Sequence, residues 1–425
     1  MRGWIKLSRL LVEGNKKLNG EVLIQGAKNS ILPILASTIL CSGQCILHNC
    51  PKILDVDYSI KILEYLGADV NFFGSDIIID TRNVNKFDVP DFLMKEMRSS
   101  IIFLGSLLGR FNSSEMFFPG GCKLGPRPID LHLKFLKNMG VLIEEYDGNI
   151  KCNVKNKLKA CKINFPYPSV GATENIILAS VLVDGITIIN NAAKEPEIYD
   201  LIKFLNACGA KIYKLKKGLI VIEGVKKLTG TEFSIMPDRI AAVTLMAASA
   251  ISGGEILLKD VNYKHLNSLI NTFGKLGCNI KFNNSEIYLR SPSILKPLKK
   301  IVTLPYPGFP TDCQPIIMAV ASKANGNTVF EERVFQKRFK HVGELLKMGA
   351  NIKVKSNMAF VNGVKDLFGA KVCGCDLRGT AALLVAALGA NGVSEVSGLK
   401  YLDRGYENIE KDLQDLGAKI KRIEN

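Results

Sequence analysis

The sequence contains no apolar run long enough to cross a membrane as a helix. Its longest apolar stretch, near Ala241–Ile251, is far shorter than the about 20 residues that such a helix needs. Charges are scattered among the apolar residues of Met1–Asn19, so we expect no signal peptide. No low-complexity segment occurs, and 47% hydrophobic with 23% charged residues excludes a disordered or fibrous chain.

Two common phosphate-binding motifs are also missing. Neither GxGxxG after a first strand nor GxxxxGK[ST] occurs, so a bound nucleotide phosphate must be held in another way. The eleven cysteines are odd in number and too sparse in 425 residues for a disulfide scaffold. We therefore expect a reducing, cytoplasmic compartment. His132, His265 and His341 are scattered, which argues against a histidine-based metal site.

Four potential zinc ligands lie close together in the sequence: Cys41, Cys45, His48 and Cys50. We interpret Cys45–Cys50 as a strand, in which Cys45 faces away from His48 and Cys50. Zinc is therefore disfavoured, and we predict no metal site. Four further cysteines lie on apolar segments and are interpreted as core residues: Cys152, Cys161, Cys208 and Cys278.

The charge balance is strongly positive. The chain has 56 Lys and Arg against 40 Asp and Glu, a net charge of +16. This excess predicts an anionic partner or substrate. Nucleic acid, an acidic membrane surface and a phosphorylated metabolite all remain possible on charge alone.

A pattern of about 70 residues recurs six times along the chain. In each copy an amphipathic helical stretch is followed by Gly and then a β-like run, which predicts a helix with a left-handed cap and a strand after it. The six glycines are Gly67, Gly140, Gly209, Gly277, Gly349 and Gly417. The second strands after them are predicted at DIIID, NIKCNV, GLIVIEG, EIYLR and MAFVNG in the first five copies.

Each copy also contains an earlier strand, a buried Ala-rich helix and another strand, so the unit is predicted as βαβαββ. The earlier strands are EVLIQG, FDVP, INFPYP, FSIMP, IVTLPYP and AKVCGC. The sixth copy lacks its last strand, and we predict that Trp4–Leu10 supplies it. Three copies then form a domain at 21–236, and the other three form a second domain from 1–20 and 237–425.

Charged residues recur at the predicted starts of the first helices. They are Lys28 with Asn29, Arg98, Glu174 with Asn175, Asp238 with Arg239, Asp312, and Arg378. Acids complement the positive helix N-terminus, but Lys and Arg oppose it. The cations are therefore predicted to bind anionic ligands, the alternative being an ordinary solvated face.

The loop Pro119–Pro128, PGGCKLGPRP, is the most unusual stretch. Three Gly and three Pro in ten residues indicate special backbone dihedrals. Lys123 and Arg127 flank Cys122, and neighbouring cations favour a reactive thiolate. We predict that Cys122 is reactive, although an incidental free thiol remains the alternative.

Eight motifs in order resemble the enolpyruvyl transferase family over essentially the whole chain. They are GEVLIQGAKNSILPIL from Gly20, PGGCKLGPRPIDLH from Pro119, SVGATEN from Ser169, EPEI from Glu195, PDRI from Pro237, GFPTD from Gly308, DLR from Asp376 and DRGYE from Asp403. The resemblance implies an α/β, two-domain inside-out α/β barrel, with three βαβαββ units per domain around internal helices. It also implies a cleft in which helix N-termini meet the substrates.

The activity implied by this resemblance is transfer of the enolpyruvyl group of phosphoenolpyruvate to the 3-hydroxyl of UDP-N-acetylglucosamine, with release of phosphate. This is the first committed step of peptidoglycan synthesis, and no cofactor is required. By resemblance, the catalytic groups are Cys122 as acid or covalent participant, Asp312 as base, and Lys28 and Arg404 on phosphoenolpyruvate. The substrate-binding residues implied are Asn29, Arg98, Arg127, Pro128, Ile129, Asp130, Leu131, Ser169, Val170, Gly171, Val334, Arg338 and Arg378. Because Cys122 is present, alkylation by fosfomycin is expected.

Three alternatives remain. A sister enzyme of the shikimate pathway shares the fold and phosphoenolpyruvate, but the cysteine loop argues against it. A repeat protein that binds nucleic acid would explain the charge, yet the cations occupy motif positions rather than a continuous run. A silent homologue is disfavoured by the presence of Lys28, Cys122, Asp312 and Arg404. We expect a monomer or weak oligomer that binds neither nucleic acid nor a membrane.

Overall fold

The computed structural model describes residues 8–120, 129–215 and 218–424. These residues form an α/β protein. The strands before residue 235 are β1 (Arg9–Glu13), β2 (Asn19–Leu23), β3 (Cys41–Ser42), β4 (Gln44–His48), β5 (Asp69–Phe73), β6 (Asp76–Asp80), β7 (Asp88–Val89), β8 (Ser113–Phe117), β9 (Leu142–Tyr146), β10 (Asn149–Asn153), β11 (Lys162–Asn164), β12 (Ile186–Asn190), β13 (Lys211–Leu215), β14 (Leu219–Glu223), β15 (Leu228–Thr229) and β16 (Glu232–Ser234). The later strands are β17 (Glu255–Lys259), β18 (Asn279–Phe282), β19 (Glu286–Arg290), β20 (Lys299–Val302), β21 (Asn327–Glu331), β22 (Asn351–Lys355), β23 (Met358–Asn362), β24 (Leu367–Phe368), β25 (Lys371–Cys373), β26 (Ala390–Asn391), β27 (Val393–Ser397) and β28 (Lys419–Ile423).

The α-helices lie between these strands. They are α1 (Lys28–Ser37), α2 (Leu54–Leu66), α3 (Asp91–Met94), α4 (Phe103–Phe111), α5 (Asp130–Asn138), α6 (Val170–Ser180), α7 (Pro196–Ala207), α8 (Arg239–Ser252), α9 (Asn267–Lys275), α10 (Gln314–Ala321), α11 (Val342–Lys347), α12 (Leu377–Leu388), α13 (Leu399–Leu402) and α14 (Ile409–Asp415). Short 3-10 turns occur at Thr38–Leu40, Arg98–Ile102, Tyr263–His265, Thr311–Cys313 and Arg338–His341.

Six four-stranded sheets in the described residues share one topology. Their strand orders are β16-β4-β6-β5, β7-β8-β10-β9, β11-β12-β14-β13, β2-β17-β19-β18, β20-β21-β23-β22 and β25-β27-β1-β28. In each sheet the first two strands are parallel and the remaining pairs are antiparallel. The sixfold repeat is therefore confirmed, and the five predicted second strands are β6, β10, β14, β19 and β23.

The six repeat glycines adopt the predicted left-handed conformation. Each lies one or two residues after the end of its helix, with φ between +84° at Gly349 and +104° at Gly67. An L side chain rarely adopts this conformation, so Gly ends each helix and turns the chain into the next strand.

The sixth sheet is completed by the first strand of the chain, as predicted. β1 lies between β27 and β28 and pairs antiparallel with both. Its bounds differ from the prediction, because the strand runs over Arg9–Glu13 and not Trp4–Leu10. Residues 1–7 lie outside the described residues.

Two parallel strands exchange places relative to the sequence prediction. In the predicted units, EVLIQG belongs to the first copy and FSIMP to the fourth. Instead β2 pairs with β17 of the fourth sheet, and β16 pairs with β4 of the first. The prediction was wrong because chain order alone does not determine which sheet an edge strand joins. The segment that connects such a strand to the next helix can start from either of the two sheets.

Contacts divide the described residues into two compact units. The first unit contains 26–120, 129–215 and 218–236, and the second contains 8–25 and 237–424. The predicted boundary between 20 and 21 differs from this division, in which residues 21–25 stay in the second unit because β2 pairs with β17. Each unit has its own hydrophobic core.

Three helices run through the interior of each unit. In the second unit α8, α10 and α12 pack on one another, and Arg239–Ile251 of α8 is buried throughout. In the first unit α4 packs on both α1 and α6. Because these helices are apolar on all sides, they are stable only when surrounded by sheets and other helices. The residues to which the sequence assigned function include Lys28 at the start of α1, Arg378 near the start of α12, and Asp312 in the turn before α10.

Candidate active site

Asp312 lies between two buried guanidinium groups in the second unit. Its Oδ1 accepts a hydrogen bond from Nη2 of Arg338 at 2.9 Å, and its Oδ2 accepts one from Nε of Arg378 at 3.1 Å. The Arg338 and Arg378 side chains are 1% and 3% exposed, whereas that of Asp312 is 29% exposed. Charge-assisted bonds of this kind fix the carboxylate and leave part of it open to a ligand.

The local backbone explains how these three groups meet. Asp312 lies in the 3-10 turn Thr311–Cys313 that leads directly into α10. Arg378 is the second residue of α12, and Arg338 begins another 3-10 turn. Since α10 and α12 pack together, their starts bring Asp312 and Arg378 into contact.

Arg338 is held by more than Asp312. Its Nε and Nη2 donate to the carbonyl oxygen of Thr311 at 3.0 and 2.8 Å. Its Nη1 lies 4.0 Å from Oδ1 of Asp376. Asp376 in turn caps α12 by accepting from the backbone N–H of Gly379 at 3.0 Å. These contacts give Arg338 a single orientation.

Arg378 is anchored on its other side by Tyr406. Nη1 of Arg378 donates to the Tyr406 hydroxyl at 3.3 Å, and that hydroxyl lies 2.7 Å from Oγ1 of Thr244 on α8. Burial alone would lower the pKa of Arg378, but Asp312, Tyr406 and Asp238 raise it above its ordinary value. Arg378 therefore stays charged although it is buried.

The start of α8 adds another acid and another cation. Asp238 caps this helix, since its Oδ1 accepts from the N–H groups of Ile240 and Ala241 at 2.7 and 3.0 Å. Arg239 follows, with its guanidinium 5.7 Å from the centre of the Tyr306 ring. The acids complement the helix dipole as expected, and the cations at the same helix starts are balanced by acids beside them.

In the first unit Lys28 is fixed at the start of α1. Its Nζ lies 2.8 Å from Oδ2 of Asp55, a carboxylate with no solvent exposure in the first turn of α2. Arg98 begins the 3-10 turn before α4, and its Nη1 donates to the carbonyl oxygen of Pro119 at 3.3 Å. Arg98 thus holds the described end of the segment that leads to the predicted reactive loop.

Two predicted binding segments pack together in the first unit. Ser169 caps α6, with its Oγ accepting from the N–H of Ala172 at 3.5 Å. A Cβ at Gly171 would lie 3.1 Å from Cε1 of His132, one residue after the predicted segment Ile129–Leu131. A side chain at position 171 would require the His132 ring to shift by a few tenths of an ångström, so glycine favours this close approach of α6 to α5.

His132 is neutral at this contact. Asn175 uses its Oδ1 to accept from the N–H of Gly105 at 2.6 Å, so its amide nitrogen faces Nδ1 of His132 at 2.7 Å. Nδ1 is then the acceptor and Nε2 carries the proton. Burial, together with the charge of Arg98, lowers the pKa of His132 to about 3.

The remaining predicted residues are dispersed. Asn29 follows Lys28 on α1, and Arg404 is half-buried after α13. Val334 is 43% exposed, and its N–H donates to Oε1 of Glu332 at 2.8 Å. The other substrate-segment residues lie on α5 and α6 or directly before α5: Ile129, Asp130, Leu131 and Val170. Three predicted residues, Cys122, Arg127 and Pro128, lie outside the described residues.

One predicted helix start was wrong. α6 begins at Val170, so Glu174 lies one turn inside the helix and is buried. Burial, together with the charges of Glu197 and Glu195, raises the pKa of Glu174 to about 8. Glu174 was placed at the start because the charged residues of the six copies were aligned, whereas Ser169, which the resemblance already put at a helix start, is the cap residue.

The sequence analysis assigned no role to the residues that hold the site. Tyr406 and Asp376 belong to the quoted motifs DRGYE and DLR, so those motifs were the available signal. Asp55 carried no signal beyond being an acid in the first turn of a predicted helix. Across the described ranges, three or more His, Cys, Asp or Glu ligand atoms converge only at Cys41, Cys45 and Cys208. Within the same ranges, no helix is both long and apolar enough to span a bilayer.

Comparisons with known proteins agree with this architecture. A family model described as EPSP synthase (3-phosphoshikimate 1-carboxyvinyltransferase) matches residues 12–413. UDP-N-acetylglucosamine 1-carboxyvinyltransferase 2 of Caldanaerobacter subterraneus subsp. tengcongensis is 50% identical over 417 residues, covering 98% of this chain and 100% of that protein. UDP-N-acetylglucosamine 1-carboxyvinyltransferase 1 of Clostridium acetobutylicum is 44% identical over 420 residues, covering 98% and 100%.

Solved structures show the same fold at lower sequence identity. The enolpyruvyl transferase NikO from Streptomyces tendae superimposes with a TM-score of 0.90 at 22% identity, covering 99% of this chain and 100% of that one. EPSP synthase from Acinetobacter baumannii gives a TM-score of 0.76 at 18% identity, covering 98% and 100%. These likenesses show the two-unit α/β fold.

Proposed function

The chain belongs to the EPSP synthase family, and we propose on that premise that it transfers the enolpyruvyl group of phosphoenolpyruvate to the 3-hydroxyl of UDP-N-acetylglucosamine. Phosphate is released, and the product enters peptidoglycan synthesis. The relatives at 43–50% identity over nearly the whole chain carry the name of this reaction, which favours the sugar nucleotide over shikimate 3-phosphate as acceptor. The structural observation that carries the proposal is the partly open Asp312 carboxylate, fixed by two buried cations.

Asp312 is assigned to the sugar 3-hydroxyl. The hydroxyl must lose its proton as its oxygen attacks C2 of phosphoenolpyruvate, and a positioned carboxylate can accept that proton. Arg338 and Arg378 each donate to one Asp312 oxygen, and the Asp312 side chain is 29% exposed, which supports its contact with a substrate hydroxyl. Arg338 is assigned to orienting the sugar nucleotide. Its contacts favour an indirect role, in which Arg338 orients Asp312 and Asp312 contacts the sugar.

The anionic groups of phosphoenolpyruvate require several fixed cations. Lys28, Arg127 and Arg404 are assigned to its phosphate and carboxylate, while Arg98 and Arg378 add positive field. The ion pair between Lys28 and buried Asp55 supports this role, since it fixes the ammonium at the start of α1. Arg378 is almost fully buried, so its contribution is electrostatic.

Cys122 is assigned as the acid that protonates C3 of phosphoenolpyruvate, or as the thiol that adds covalently to C2. Both roles require the Cys122 sulfur to be next to the substrate. The anchor of the loop supports this arrangement: Arg98 binds the carbonyl of Pro119, and the N–H of Gly120 donates to the carbonyl oxygen of Met94 at 3.1 Å. A Cβ at Gly120 would lie 2.4 Å from the carbonyl oxygen of Lys95, so the anchor requires glycine.

The sugar nucleotide is assigned to the two packed segments of the first unit and to three single residues. Ser169, Val170 and Gly171 bind diphosphate with the free N–H groups at the start of α6, a usual anion site. Pro128, Ile129, Asp130 and Leu131 contact the uridine. Asn29 and Arg338 orient the molecule, and Val334 lies beside the sugar. Glycine at 171 keeps the backbone of α6 close to α5, and this packing supports one continuous binding surface.

We further propose that each unit is an inside-out α/β barrel, with its three internal helices enclosed by its three sheets and outer helices. Three sheets per unit with one shared topology support this arrangement. The enzyme is proposed to act as a monomer or weak oligomer without a cofactor, and to bind neither nucleic acid nor a membrane.

The test is phosphate release from phosphoenolpyruvate with purified protein. We expect release that requires UDP-N-acetylglucosamine, is not supported by shikimate 3-phosphate, and stops after pretreatment with fosfomycin. Release with shikimate 3-phosphate alone would identify the sister reaction instead. Absence of release with either acceptor would refute the proposed activity.

A further inference from the structure

Three cysteine thiols meet in the interior of the first unit. Cys41 lies on β3, Cys45 on β4 and Cys208 directly after α7. Their sulfur atoms all lie within 4.8 Å of one another, and the residues are 2%, 0% and 1% exposed. The sequence analysis treated Cys208 as an isolated core residue and grouped Cys41 and Cys45 with His48 and Cys50, so it did not detect this cluster.

The backbone holds the three residues together independently of their thiols. Leu228 and Thr229 of β15 pair with Cys41 and Ser42 of β3. The N–H of Thr229 also donates to the carbonyl oxygen of Cys208 at 2.9 Å. β15 therefore ties the end of α7 to β3, which places the third sulfur beside the first two.

The surroundings favour a thiolate in this cluster. Arg110 is the nearby cation: burial lowers its pKa, while its attraction to Cys41 raises it. The Arg110 guanidinium is held by the carbonyl oxygens of Ile39, Thr81 and Val84 at 2.8, 2.9 and 3.1 Å, so its charge stays next to the sulfurs.

We propose that Cys41, Cys45 and Cys208 form a buried three-sulfur site for a thiophilic metal ion, Cu(I). A metal–sulfur bond of about 2.3 Å places three sulfurs of a trigonal site roughly 4 Å apart, within the separation bound observed here. Soft thiolates select Cu(I) among biological metals. Zn(II) prefers a fourth ligand, and no fourth His, Cys, Asp or Glu joins this group within the described residues.

A disulfide is the competing use of these thiols. It would join two sulfurs and exclude the third, whereas the arrangement keeps all three mutually close. Metal binding instead uses every member, and each ligand gives up its thiol proton as it binds. The three-way convergence therefore favours a metal over a disulfide.

A bound ion would link two helices that carry the first unit. Cys41 follows α1 and its 3-10 turn, and Cys208 ends α7. The same two helices are joined elsewhere by Ser30, whose hydroxyl donates to Oδ2 of Asp200 at 2.6 Å. Cys41 itself lies in the two-residue ladder of β3 and β15, and so short a ladder can open locally.

Copper binding by the reduced, full-length protein tests the site. Cu(I) is titrated under anaerobic conditions against bicinchoninate, in a Cys122→Ala background that removes the loop thiol. We expect one tightly held Cu(I) per chain, and at least tenfold weaker binding after Cys208→Ala. The matched control is Cys278→Ala, a buried cysteine of the second unit, which should leave copper binding unchanged.

A second readout covers the case in which Cys208→Ala does not fold. Cu(I) should raise the Tm of the background protein by several degrees and should not raise that of Cys45→Ala, since only the intact site binds the native state preferentially. X-ray absorption should show three sulfur neighbours. Equal copper affinity with and without Cys208 or Cys45, or no retained copper at all, would overturn the proposal.

Discussion

The Asp312 carboxylate and the Arg378 guanidinium are joined by a 3.1 Å hydrogen bond between Oδ2 and Nε, at the start of two neighbouring helices. Arg378 reaches this position because Tyr406 holds its opposite end at 3.3 Å. The Asp312 carboxylate, which is proposed to accept the proton of a sugar hydroxyl, is thus oriented by the almost fully buried side chains of Arg378 and Tyr406.

Replacing Asp312 by Ala should lower kcat by roughly 10²–10⁴-fold, because the proton acceptor is lost. Binding of UDP-N-acetylglucosamine should weaken only modestly. Arg338 and Arg378 lose their shared partner, so the free energy of unfolding should fall by about 1–3 kcal/mol. Steady-state kinetics, calorimetric binding and urea unfolding measure the three quantities. If binding alone changes, Asp312 is not the base.

Replacing Tyr406 by Phe should lower kcat several-fold and leave the KM for UDP-N-acetylglucosamine unchanged, because Arg378 loses its second anchor. The lost hydroxyl bonds should cost about 1 kcal/mol of unfolding free energy. Thr244→Val is the matched control, since it removes the other partner of the same hydroxyl and keeps the bond to Arg378. Equal loss of kcat in both variants would mean a structural role only.

Replacing Gly171 by Ala should weaken UDP-N-acetylglucosamine binding by roughly tenfold. This factor corresponds to about 1.4 kcal/mol of overpacking strain in the bound state. The new methyl group would lie 3.1 Å from Cε1 of His132. His132→Ala in the same chain should restore part of the affinity. Gly274→Ala on α9 is the control, because a Cβ there meets no atom within 4 Å. Unchanged affinity after Gly171→Ala would remove this surface from the binding site.

Replacing Glu174 by Gln should stabilise the protein at pH 8 and have little effect near pH 4.5. Burial, Glu197 and Glu195 raise the pKa of Glu174 to about 8 in the folded state, above the ordinary value of 4.5. Between these values the folded state binds the extra proton, so its stability falls as the pH rises through this window. Urea unfolding at several pH values should show a difference of a few kcal/mol that grows from pH 4.5 to pH 8. A constant difference would show that Glu174 is ionised when folded.

Replacing Cys122 by Ala should abolish turnover at neutral pH, whereas Cys122→Asp should retain it and lose sensitivity to fosfomycin. The carboxyl group can still donate a proton but is not alkylated by the epoxide. Phosphate release with and without fosfomycin distinguishes the variants. Full activity of Cys122→Ala would show that the thiol has no part in the reaction.

The repeat architecture could be predicted from the sequence because its signal is local. A helix period followed by Gly, as at Gly67 or Gly417, requires a left-handed residue at each helix end, and the structure has one at all six positions. The second strands were equally clear. The pairing of β2 with the fourth sheet and of β16 with the first could not be predicted, because parallel pairing between strands far apart in the chain leaves no local pattern in the sequence.

The charged residues of the candidate site could be predicted from the sequence, but the buried residues that hold them in place could not. Asp312, Arg338 and Arg378 were assigned by resemblance, and the structure brings these three into contact. Asp55 and Tyr406 could not be assigned, since a buried partner is defined by packing across elements. The cluster with Cys208 was missed for the same reason: its members are distant in sequence.

The strand exchange constrains the order in which the protein can be built during synthesis. β4 has no parallel neighbour until Glu232–Ser234 has left the ribosome, so the first unit stays one strand short while almost all of it has been translated. β1 must wait still longer, because its two neighbours contain Val393–Ser397 and Lys419–Ile423. The earliest strand of the chain is therefore among the last to be paired, and until then it presents two open edges to chaperones and to other nascent chains.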